Sequence, residues 1–308
     1  MEVGIDIGGT HTRILVADGG EPIGEAISLT ANWRRGVLFS DEQNAARLLA
    51  LVPGDVVGRD DVAIAVGAHG VDNRSGCDLL TCWLRRLHPG PVLVVNDSEL
   101  FGPAVGVTNA IAVVCGTGSI VVGRNSGGEL VKVGGYGWIL GDPAAAPSLV
   151  RESVVAIMEA DDAGEAPGVL ARSLMEHYGS PDPVELGYDF TADAGITNWG
   201  SLAPLVFQAA DAGDHLAIRV IEADGARLAE DVQTLRAKGV HSNVVVASGG
   251  VITAQPRLEA VFTNALRRLD PDIEIHVLRD APAKGALALA RALLPAPKNQ
   301  EFPDVGKD

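Results

Sequence analysis

The sequence is short of cysteine, basic residues and long apolar runs, and each shortage excludes a class of protein. Three cysteines in 308 residues, Cys77, Cys82 and Cys115, cannot build a disulfide framework, and their odd number fits a reducing compartment. No apolar run reaches the roughly 18 residues that a membrane-spanning helix needs. The start, Met1-Glu2-Val3-Gly4, lacks the basic and apolar regions of a secretory signal. We therefore expect a soluble cytoplasmic protein.

Acidic residues outnumber basic residues by 40 to 24, which gives a formal net charge of −16. Such a negative surface repels phosphate backbones and anionic headgroups, so we expect neither a nucleic acid nor a membrane as partner. Hydrophobic residues make up 47% of the chain, which excludes a disordered protein. A length of 308 residues suggests about two domains.

Val- and Ile-rich runs alternate with Ala- and Leu-rich stretches, which predicts an α/β fold. Three strand-like runs lie between residues 3 and 29, and a helix is predicted at 41–51 with Ser40 as its N-cap. The same order of elements begins again near residue 110. From Gly8 to Gly116 is 116 − 8 = 108 residues, so we predict two related β-β-β-α-β-α-β units.

The repeat predicts two domains, at residues 1–108 and 109–281. A final helix at about 282–294 can pack on the first domain, and the second domain carries a helical insert from about 144 to 238. Residues 295–308 are polar and interrupted by proline, so we expect a disordered tail.

The first glycine turn, Gly8-Gly9-Thr10, joins two predicted strands and follows Asp6. Glycine lets backbone amides approach an anion, and successive N–H groups form a nest for phosphate oxygens. Thr10 and Thr12 could add hydroxyl donors, and Asp6 could hold water on a Mg²⁺ that accompanies a nucleotide. The turn is not a P-loop, because G-x-x-x-x-G-K-S/T is absent, and an ordinary glycine hairpin is the alternative.

The second glycine turn, Gly116-Thr117-Gly118-Ser119, occupies the same place in the second repeat. Two such turns, one in each domain, could hold a phosphate chain from both sides of a cleft. Because the pair is more specific than either turn alone, it favours nucleotide binding over two incidental hairpins.

These features resemble the sugar kinase, actin and heat-shock chaperone ATPase superfamily. Within it, residues 3–293 are most similar to the N-acetylglucosamine kinase branch, which is grouped with the BadF/BadG/BcrA/BcrD-type ATPases. The resemblance implies a two-domain, actin-like (ribonuclease H-like) α/β fold with an interdomain cleft. It also implies ATP and Mg²⁺ as cofactors and makes a homodimer a candidate assembly.

The resemblance assigns a nucleotide site. The two glycine turns are similar to the family's phosphate loops, and Ser248-Gly249-Gly250 is similar to its adenosine loop. Gly213 would lie nearest to the adenine.

The resemblance also implies a sugar site. Thr30-Ala31-Asn32-Trp33 is similar to the sugar loop, in which Asn32 would bond a hydroxyl. Asn96 and Asp97 follow a buried strand where the family carries its catalytic aspartate. Asp97 would then accept the proton of the sugar hydroxyl, whereas the alternative is a helix N-cap.

A further segment, residues 134–142, is similar to the part of the family that cups the sugar. The implied sugar contacts in it are Gly135, Tyr136, Gly137 and Asp142. A plain turn residue is the alternative for Asp142. The family usually continues with Glu-Gly-Ser, whereas this chain has Pro143-Ala144-Ala145-Ala146, and Ile120 stands where some relatives place an amide. Either departure can reshape the sugar pocket.

We therefore predict an ATP-dependent kinase that phosphorylates a hydroxyl of an amino sugar, such as N-acetylglucosamine or glucosamine. One alternative is a BadF-type ATPase activator, which would bridge an iron–sulfur cluster with paired cysteines. Another is a nucleotide-dependent binding or regulatory protein without sugar chemistry, which the departure at residues 143–146 favours. Cys77 and Cys82 have too few further ligands nearby for a metal site, and His69 is the one histidine beside the predicted sugar side.

Overall fold

The computed structural model describes residues 1–36, 38–71 and 73–295. The chain divides into two compact units, one formed by Met1–Asp97 together with the chain from Ala283 onward, the other by Ser98–Pro282. The division falls after Asp97, earlier than the boundary at 108/109 that the repeat suggests. Residues 296–308, which hold nearly all of the tail predicted to be disordered, lie outside the described residues.

The first unit is built on one five-stranded mixed sheet in the order β3-β2-β1-β4-β5. Its elements are β1 (Glu2–Ile7), β2 (His11–Asp18), β3 (Glu21–Leu29), α1 (Thr30–Trp33), α2 (Gln43–Leu49), β4 (Ala63–Ala68), α3 (Arg74–Leu87) and β5 (Val92–Asn96). Strands β1, β2 and β3 are antiparallel, whereas β1, β4 and β5 run parallel. The carboxyl ends of the three parallel strands therefore share one edge of the sheet.

The second unit repeats this topology, with a five-stranded sheet in the order β10-β9-β6-β7-β8. Its elements are α4 (Phe101–Ala104), β6 (Ile111–Cys115), β7 (Ser119–Arg124), β8 (Leu130–Gly134), α5 (Ala146–Asp162), α6 (Val169–Tyr178), α7 (Pro183–Ala192), α8 (Ile196–Ser201), α9 (Ala203–Asp211), α10 (His215–Ala237), β9 (Val244–Ser248), α11 (Gly250–Ala254), α12 (Pro256–Leu269) and β10 (Glu274–Val277). Helices α5 to α10 are the predicted insert. The matching strand orders confirm the predicted α/β fold of two related units.

The last helix, α13 (Ala283–Ala292), packs on the sheet of the first unit. Gly4 of β1 makes this possible, because a Cβ there would lie 2.4 Å from the backbone nitrogen of Leu287. Ala63, Ala65 and Ala290 are fully buried in the same small cluster. Small residues on both elements thus let a helix backbone lie directly against the strands.

The helix predicted at 41–51 is shorter than the sequence suggested. Helix α2 begins only at Gln43, with Glu42 in the N-cap position, while Ser40 belongs to a separate 3-10 turn, Leu38–Ser40. The Asp41 carboxylate accepts the Gln43 N–H at 2.9 Å, so an aspartate rather than the predicted serine bonds the first turn. The prediction of Ser40 as the N-cap is wrong for this reason.

Among the described residues, none of the helices combines the length and the apolar character that crossing a bilayer would require.

Candidate functional site

The parallel strands of the first unit bring three polar residues to one edge of the sheet. Asp6 lies one residue before the end of β1, His69 follows β4, and Asp97 follows β5. The strand registers hold these ends level with one another. The Nδ1 atom of His69 lies 3.4 Å from Oδ2 of Asp97. The edge therefore carries two carboxylates and an imidazole beside the first glycine turn.

Asp6 is held in a repulsive environment. Burial raises the pKa of Asp6 to about 7, and the negative charge of Asp97 adds to this while Arg13 opposes it. A nearby cation would relieve both the burial cost and the repulsion between the two carboxylates. Mg²⁺ is commonly bound through one or two carboxylates, with water and phosphate oxygens completing its coordination.

The described residues hold no cluster of three or more His, Cys, Asp or Glu side chains suited to a metal ion. A single buried carboxylate such as Asp6 fits a magnesium ion that takes its further oxygens from water and from the phosphates of a bound nucleotide.

Asp97 is the first residue of a 3-10 turn, Asp97–Leu100, and the following helix α4 has Leu100 in its N-cap position. Asp97 therefore opens a 3-10 turn, and the α-helix that follows begins four residues later. The preceding Asn96 is buried, and its Nδ2 donates to the carbonyl of Val71 at 3.1 Å. Asn96, predicted as a sugar contact, holds the loop after β4 in place.

The first glycine turn is tight, since the Gly8 N–H donates to the His11 carbonyl at 2.9 Å. Gly9 and Thr10 are exposed, as expected for groups that bind a ligand, and Asn32 is exposed on α1. Thr12 is different, because it is only 1% exposed. Its hydroxyl contacts Thr30 and Trp33 inside the unit rather than solvent.

In the second unit, the second glycine turn touches the predicted adenosine loop. Strands β6 and β9 are parallel neighbours, so Cys115 and Ser248 end at the same edge. A Cβ at Gly116 would lie 3.1 Å from the Gly250 nitrogen. A Cβ at Gly249, where φ is +123°, would lie 2.4 Å from the Cys115 carbonyl oxygen. Only glycine permits this approach, so the structure brings together two segments that the sequence assigned to the nucleotide.

Asp142 closes the predicted sugar-cupping segment over the second glycine turn. It is buried with φ +57°, and its carboxylate accepts the Gly137 N–H at 3.1 Å. Burial raises the pKa of Asp142, while the nearby backbone N–H groups, that of Gly137 foremost, favour the charged form. A Cβ at Gly118 would lie 3.0 Å from its Oδ2 atom.

Two of the residues predicted to bind a ligand, Ser119 and Tyr136, differ in their exposure and in the contacts that they can make. Ser119 is buried, and its hydroxyl donates to the Pro143 carbonyl at 2.7 Å. The Ser119 hydroxyl therefore supports the loop rather than donating to a phosphate. Tyr136, in contrast, is 72% exposed, and Gly135 packs against Ile120. The side chain of Ile120 thus fills the space beside Gly135 in the predicted sugar-cupping segment, residues 134–142.

The departure at residues 143–146 keeps the backbone shape that glycine would give. Ala144 stands at the family's glycine position and has φ +65°, a conformation that L residues rarely adopt. Its N–H donates to Asp224 at 2.9 Å, and its carbonyl accepts the Cys115 thiol at 3.2 Å. Such strain persists only where surrounding bonds impose it, and it is concentrated at functional sites.

Asp224 was not found from the sequence. It lies on α10, where its position falls within the buried apolar stripe formed by residues such as Val220, Ile221 and Leu228. A carboxylate buried in an apolar stripe needs a hydrogen-bond donor as its partner. The position of Asp224 in this stripe was therefore the sequence signal that could have pointed to it. Burial raises the pKa of Asp224 to about 6, and the bond from Ala144 opposes this.

Gly213 lies in the turn between α9 and α10, with φ +86° and open space where a Cβ would stand. Arg257, near the start of α12, donates to the Ala210 carbonyl and to Asp211 beside this turn. An open groove of about 660 Å³ runs along α12 from the same place, with Asp211 and Arg257 in its lining. The turn that carries Gly213 is thereby tied to the helix that follows the adenosine loop.

The comparisons agree with this architecture. The family model of the BadF/BadG/BcrA/BcrD ATPases matches residues 3–290. The chain belongs to this family. The predicted resemblance to that group of ATPases is therefore confirmed over nearly the whole chain.

Two curated proteins are similar to this family member. One is the N-acetylmuramic acid/N-acetylglucosamine kinase of Clostridium acetobutylicum, 26% identical over 240 residues, which are 75% of this chain and 77% of that protein. The other is the N-acetyl-D-glucosamine kinase of Dictyostelium discoideum, 24% identical over 94% of this chain and 97% of that protein.

Solved structures share the fold. A provisionally named N-acetylglucosamine kinase from Chromobacterium violaceum superposes with a TM-score of 0.65 at 23% identity, covering 94% of this chain and 98% of that one. A ROK family glucokinase from Streptomyces griseus, solved with glucose and AMPPNP, gives a TM-score of 0.55 at 16% identity, covering 94% and 98% of the two chains. These similarities show the sugar-kinase type of actin-like ATPase fold.

Proposed function

We propose that this protein is an ATP-dependent kinase that transfers the γ-phosphoryl group to a hydroxyl of an amino sugar. N-acetylglucosamine or glucosamine is the favoured substrate class. Both curated relatives carry N-acetylglucosamine kinase in their names, and one of them is similar over 94% of this chain. The family assignment supports the use of ATP.

One observation carries the proposal. Asp97 stands at the carboxyl end of a parallel strand, beside Asp6 and a glycine turn, and its side chain is 27% exposed. A carboxylate so placed can accept a proton from a bound hydroxyl. Such a base beside a phosphate-binding turn suits phosphoryl transfer, in which positioning and charge neutralisation do most of the work.

Each unit, taken by itself, carries groups that we assign to the nucleotide. In the first turn, the Gly9 amide and the Thr10 hydroxyl would bind phosphate oxygens, while the Gly8 N–H closes the turn by donating to the His11 carbonyl. In the second turn, the Gly118 amide and the Thr117 hydroxyl would do so, while the Gly116 N–H donates to the Gly118 carbonyl. Gly249, Gly250 and Gly213 would lie along the adenosine. Glycine is suited to these positions because its backbone can approach a ligand closely.

The sugar is assigned to Asn32 and to the segment that Asp142 closes, including Gly135, Tyr136 and Gly137. In the transfer, the sugar oxygen forms a bond to the γ-phosphorus while the bond from that phosphorus to ADP breaks. The hydroxyl proton passes to Asp97. Asp6 would hold a magnesium ion through water, and the bound ion would neutralise charge on the phosphates.

We further propose a cytoplasmic location, with sugar and ATP as the small-molecule partners and no nucleic acid or membrane. The small number of cysteines and the net charge of −16 support this. A homodimer is proposed as the assembly and is tested by analytical ultracentrifugation.

A nucleotide-dependent regulatory protein remains the second candidate, because residues 143–146 lack the family's Glu-Gly-Ser. Such a protein would bind ATP without sugar-stimulated ADP release. The retained backbone conformation at Ala144 favours the kinase over this alternative.

Asp97→Asn tests the proposed base. We expect sugar-stimulated ADP release to fall by about 10²-fold or more, with nucleotide affinity kept, since the amide cannot accept the proton. Asp60→Asn, at an exposed turn of the same unit, is the matched control and should leave turnover unchanged. Full turnover in Asp97→Asn would contradict the assignment.

A further inference from the structure

A chain of hydrogen bonds runs through the first unit from Trp33 to the first glycine turn. Trp33 Nε1 donates to Thr12 Oγ1 at 3.0 Å, and Thr12 Oγ1 lies 3.0 Å from Thr30 Oγ1. Thr30 Oγ1 donates to the Gly8 carbonyl at 2.9 Å. Trp33, Thr12 and Thr30 are only 4%, 1% and 0% exposed, so water does not compete for these bonds.

The direction of the chain follows from counting protons. A hydroxyl carries one hydrogen, and the hydrogen of Thr30 is used on the Gly8 carbonyl. Thr12 must therefore donate to Thr30, and it accepts from Trp33 with a lone pair. This leaves Thr12 without a proton for a phosphate and makes Thr30 the residue that contacts the turn.

Thr30 holds the turn at a second point. Its backbone N–H donates to the Thr10 carbonyl at 2.8 Å, so Thr30 binds two alternate carbonyls, those of Gly8 and Thr10. No peptide bond is cis in the described residues, and in a trans peptide the C=O and N–H point in opposite directions. The N–H groups of Gly9 and His11 therefore point away from Thr30. Both residues are exposed.

Backbone N–H groups of exposed residues at a glycine turn are donors suited to phosphate oxygens. Thr30 also begins α1, the short helix that carries Asn32 two residues later. One residue thus connects the phosphate-binding amides to the proposed sugar contact.

We propose that Thr30 is a positioning residue that aims the amides of the first glycine turn at nucleotide phosphates and fixes Asn32 relative to them. The part that concerns Asn32 rests on the proposed kinase function. The part that concerns the amides requires only that the protein binds a nucleotide.

The test compares Thr30→Val, which keeps the side-chain shape and loses the hydroxyl, with Thr30→Ser, which keeps the hydroxyl. The matched control is Thr191→Val on α7 of the second unit. Thr191 also donates its hydroxyl to a carbonyl, that of Gly187 at 2.8 Å, but Thr191 is exposed on its helix. Thr30→Ala replaces the valine variant if that variant does not fold.

Affinity for MgADP and for MgAMPPNP is measured by calorimetry, and kcat and KM are measured with the best sugar. We expect Thr30→Val to weaken nucleotide binding about tenfold, and Thr30→Ser to stay within about twofold of the parent. With the kinase active, the KM values for ATP and sugar should both rise in Thr30→Val. Thr191→Val should match the parent in every readout.

Parent-like nucleotide affinity in Thr30→Val would overturn the proposal. Equal loss in the serine and valine variants would also overturn it, since packing rather than the hydroxyl would then matter. If the parent binds nucleotide but phosphorylates no sugar, the proposed function fails, while the nucleotide affinities still decide the role of Thr30. A parent that binds no nucleotide would contradict both.

Discussion

Single buried polar side chains set the shape of the candidate site in both units. Thr30 binds two carbonyls of the first glycine turn, and Asp142 accepts the backbone N–H of Gly137 beside the second. Asp224 holds the N–H of Ala144 in a conformation that alanine rarely adopts. In each case a side chain makes the hydrogen bond to a backbone N–H or C=O group that has no backbone partner in a tight loop. These side chains therefore fix the direction of the neighbouring backbone groups that would face a ligand.

The raised pKa of Asp224 predicts a pH-dependent stability. Because its folded-state pKa of about 6 lies above the ordinary aspartate value of 3.8, the native protein binds this proton more tightly than the unfolded chain. Stability should therefore fall as pH rises from about 4 to about 6, by on the order of 3 kcal/mol from this group, and stay low above that window.

Urea denaturation of Asp224→Asn at pH 4 and pH 8 measures this effect. The amide can still accept the Ala144 N–H without a charge, so we expect the variant to gain stability over the parent at pH 8 and little at pH 4. Asp224→Ala should lose stability at both values, because it leaves that N–H unpaired. Equal stability differences between parent and Asp224→Asn at both pH values would contradict the pKa shift.

At the scale of elements, the strands were predictable and the helix ends were not. Strands β1 and β4 are buried on both faces, and β4 is a continuous apolar run in the sequence. The start of α2 depends on whether Ser40 or Asp41 reaches the first free N–H, which composition does not decide. For α3, Asn73 provides the cap by accepting the Gly76 N–H at 2.9 Å, and the helix accordingly begins at Arg74.

The contact between the second glycine turn and the adenosine loop predicts a sharp difference between two glycines. Gly249→Ala would push a Cβ to 2.4 Å from the Cys115 carbonyl oxygen, so the loop must shift. Gly128→Ala, at φ +77° with open space around it, carries only the conformational cost of about 1 kcal/mol.

Nucleotide binding and thermal unfolding are measured for both alanine variants. We expect Gly249→Ala to lose nucleotide binding while Gly128→Ala binds like the parent with a slightly lower Tm. Unchanged affinity in Gly249→Ala would mean that the adenosine loop is assigned to the wrong segment.

At the scale of the whole molecule, the duplication was readable because the two glycine turns stand 108 residues apart in matching surroundings. The division after Asp97 was not readable, since it depends on which contacts each residue makes rather than on a change of composition. Hydrogen bonds between residues far apart in the chain could not be predicted from the sequence either. Asp224 lies 80 residues from Ala144, and no local pattern links the two.

The first unit is completed by a helix from the far end of the chain. Helix α13 lies on β1 at Gly4 and buries Ala63 and Ala65 together with Ala290. A chain that ends at Pro282 should therefore expose this face, bind the dye ANS and lose cooperative unfolding of the first unit. A chain that ends at Pro295 keeps every described helix and strand and is the matched control. Parent-like unfolding of the shorter chain would contradict this role of α13.

The central claim is that this family member phosphorylates an amino sugar, and ADP release with MgATP tests it most directly. The panel is N-acetylglucosamine, glucosamine, glucose, N-acetylmannosamine and N-acetylmuramic acid, each compared with ATP alone. We predict clear stimulation by an amino sugar, with N-acetylglucosamine or glucosamine foremost, and a phosphorylated sugar detected by mass spectrometry. A flat panel from protein that binds ATP would contradict the kinase and leave a nucleotide-dependent binding protein in its place.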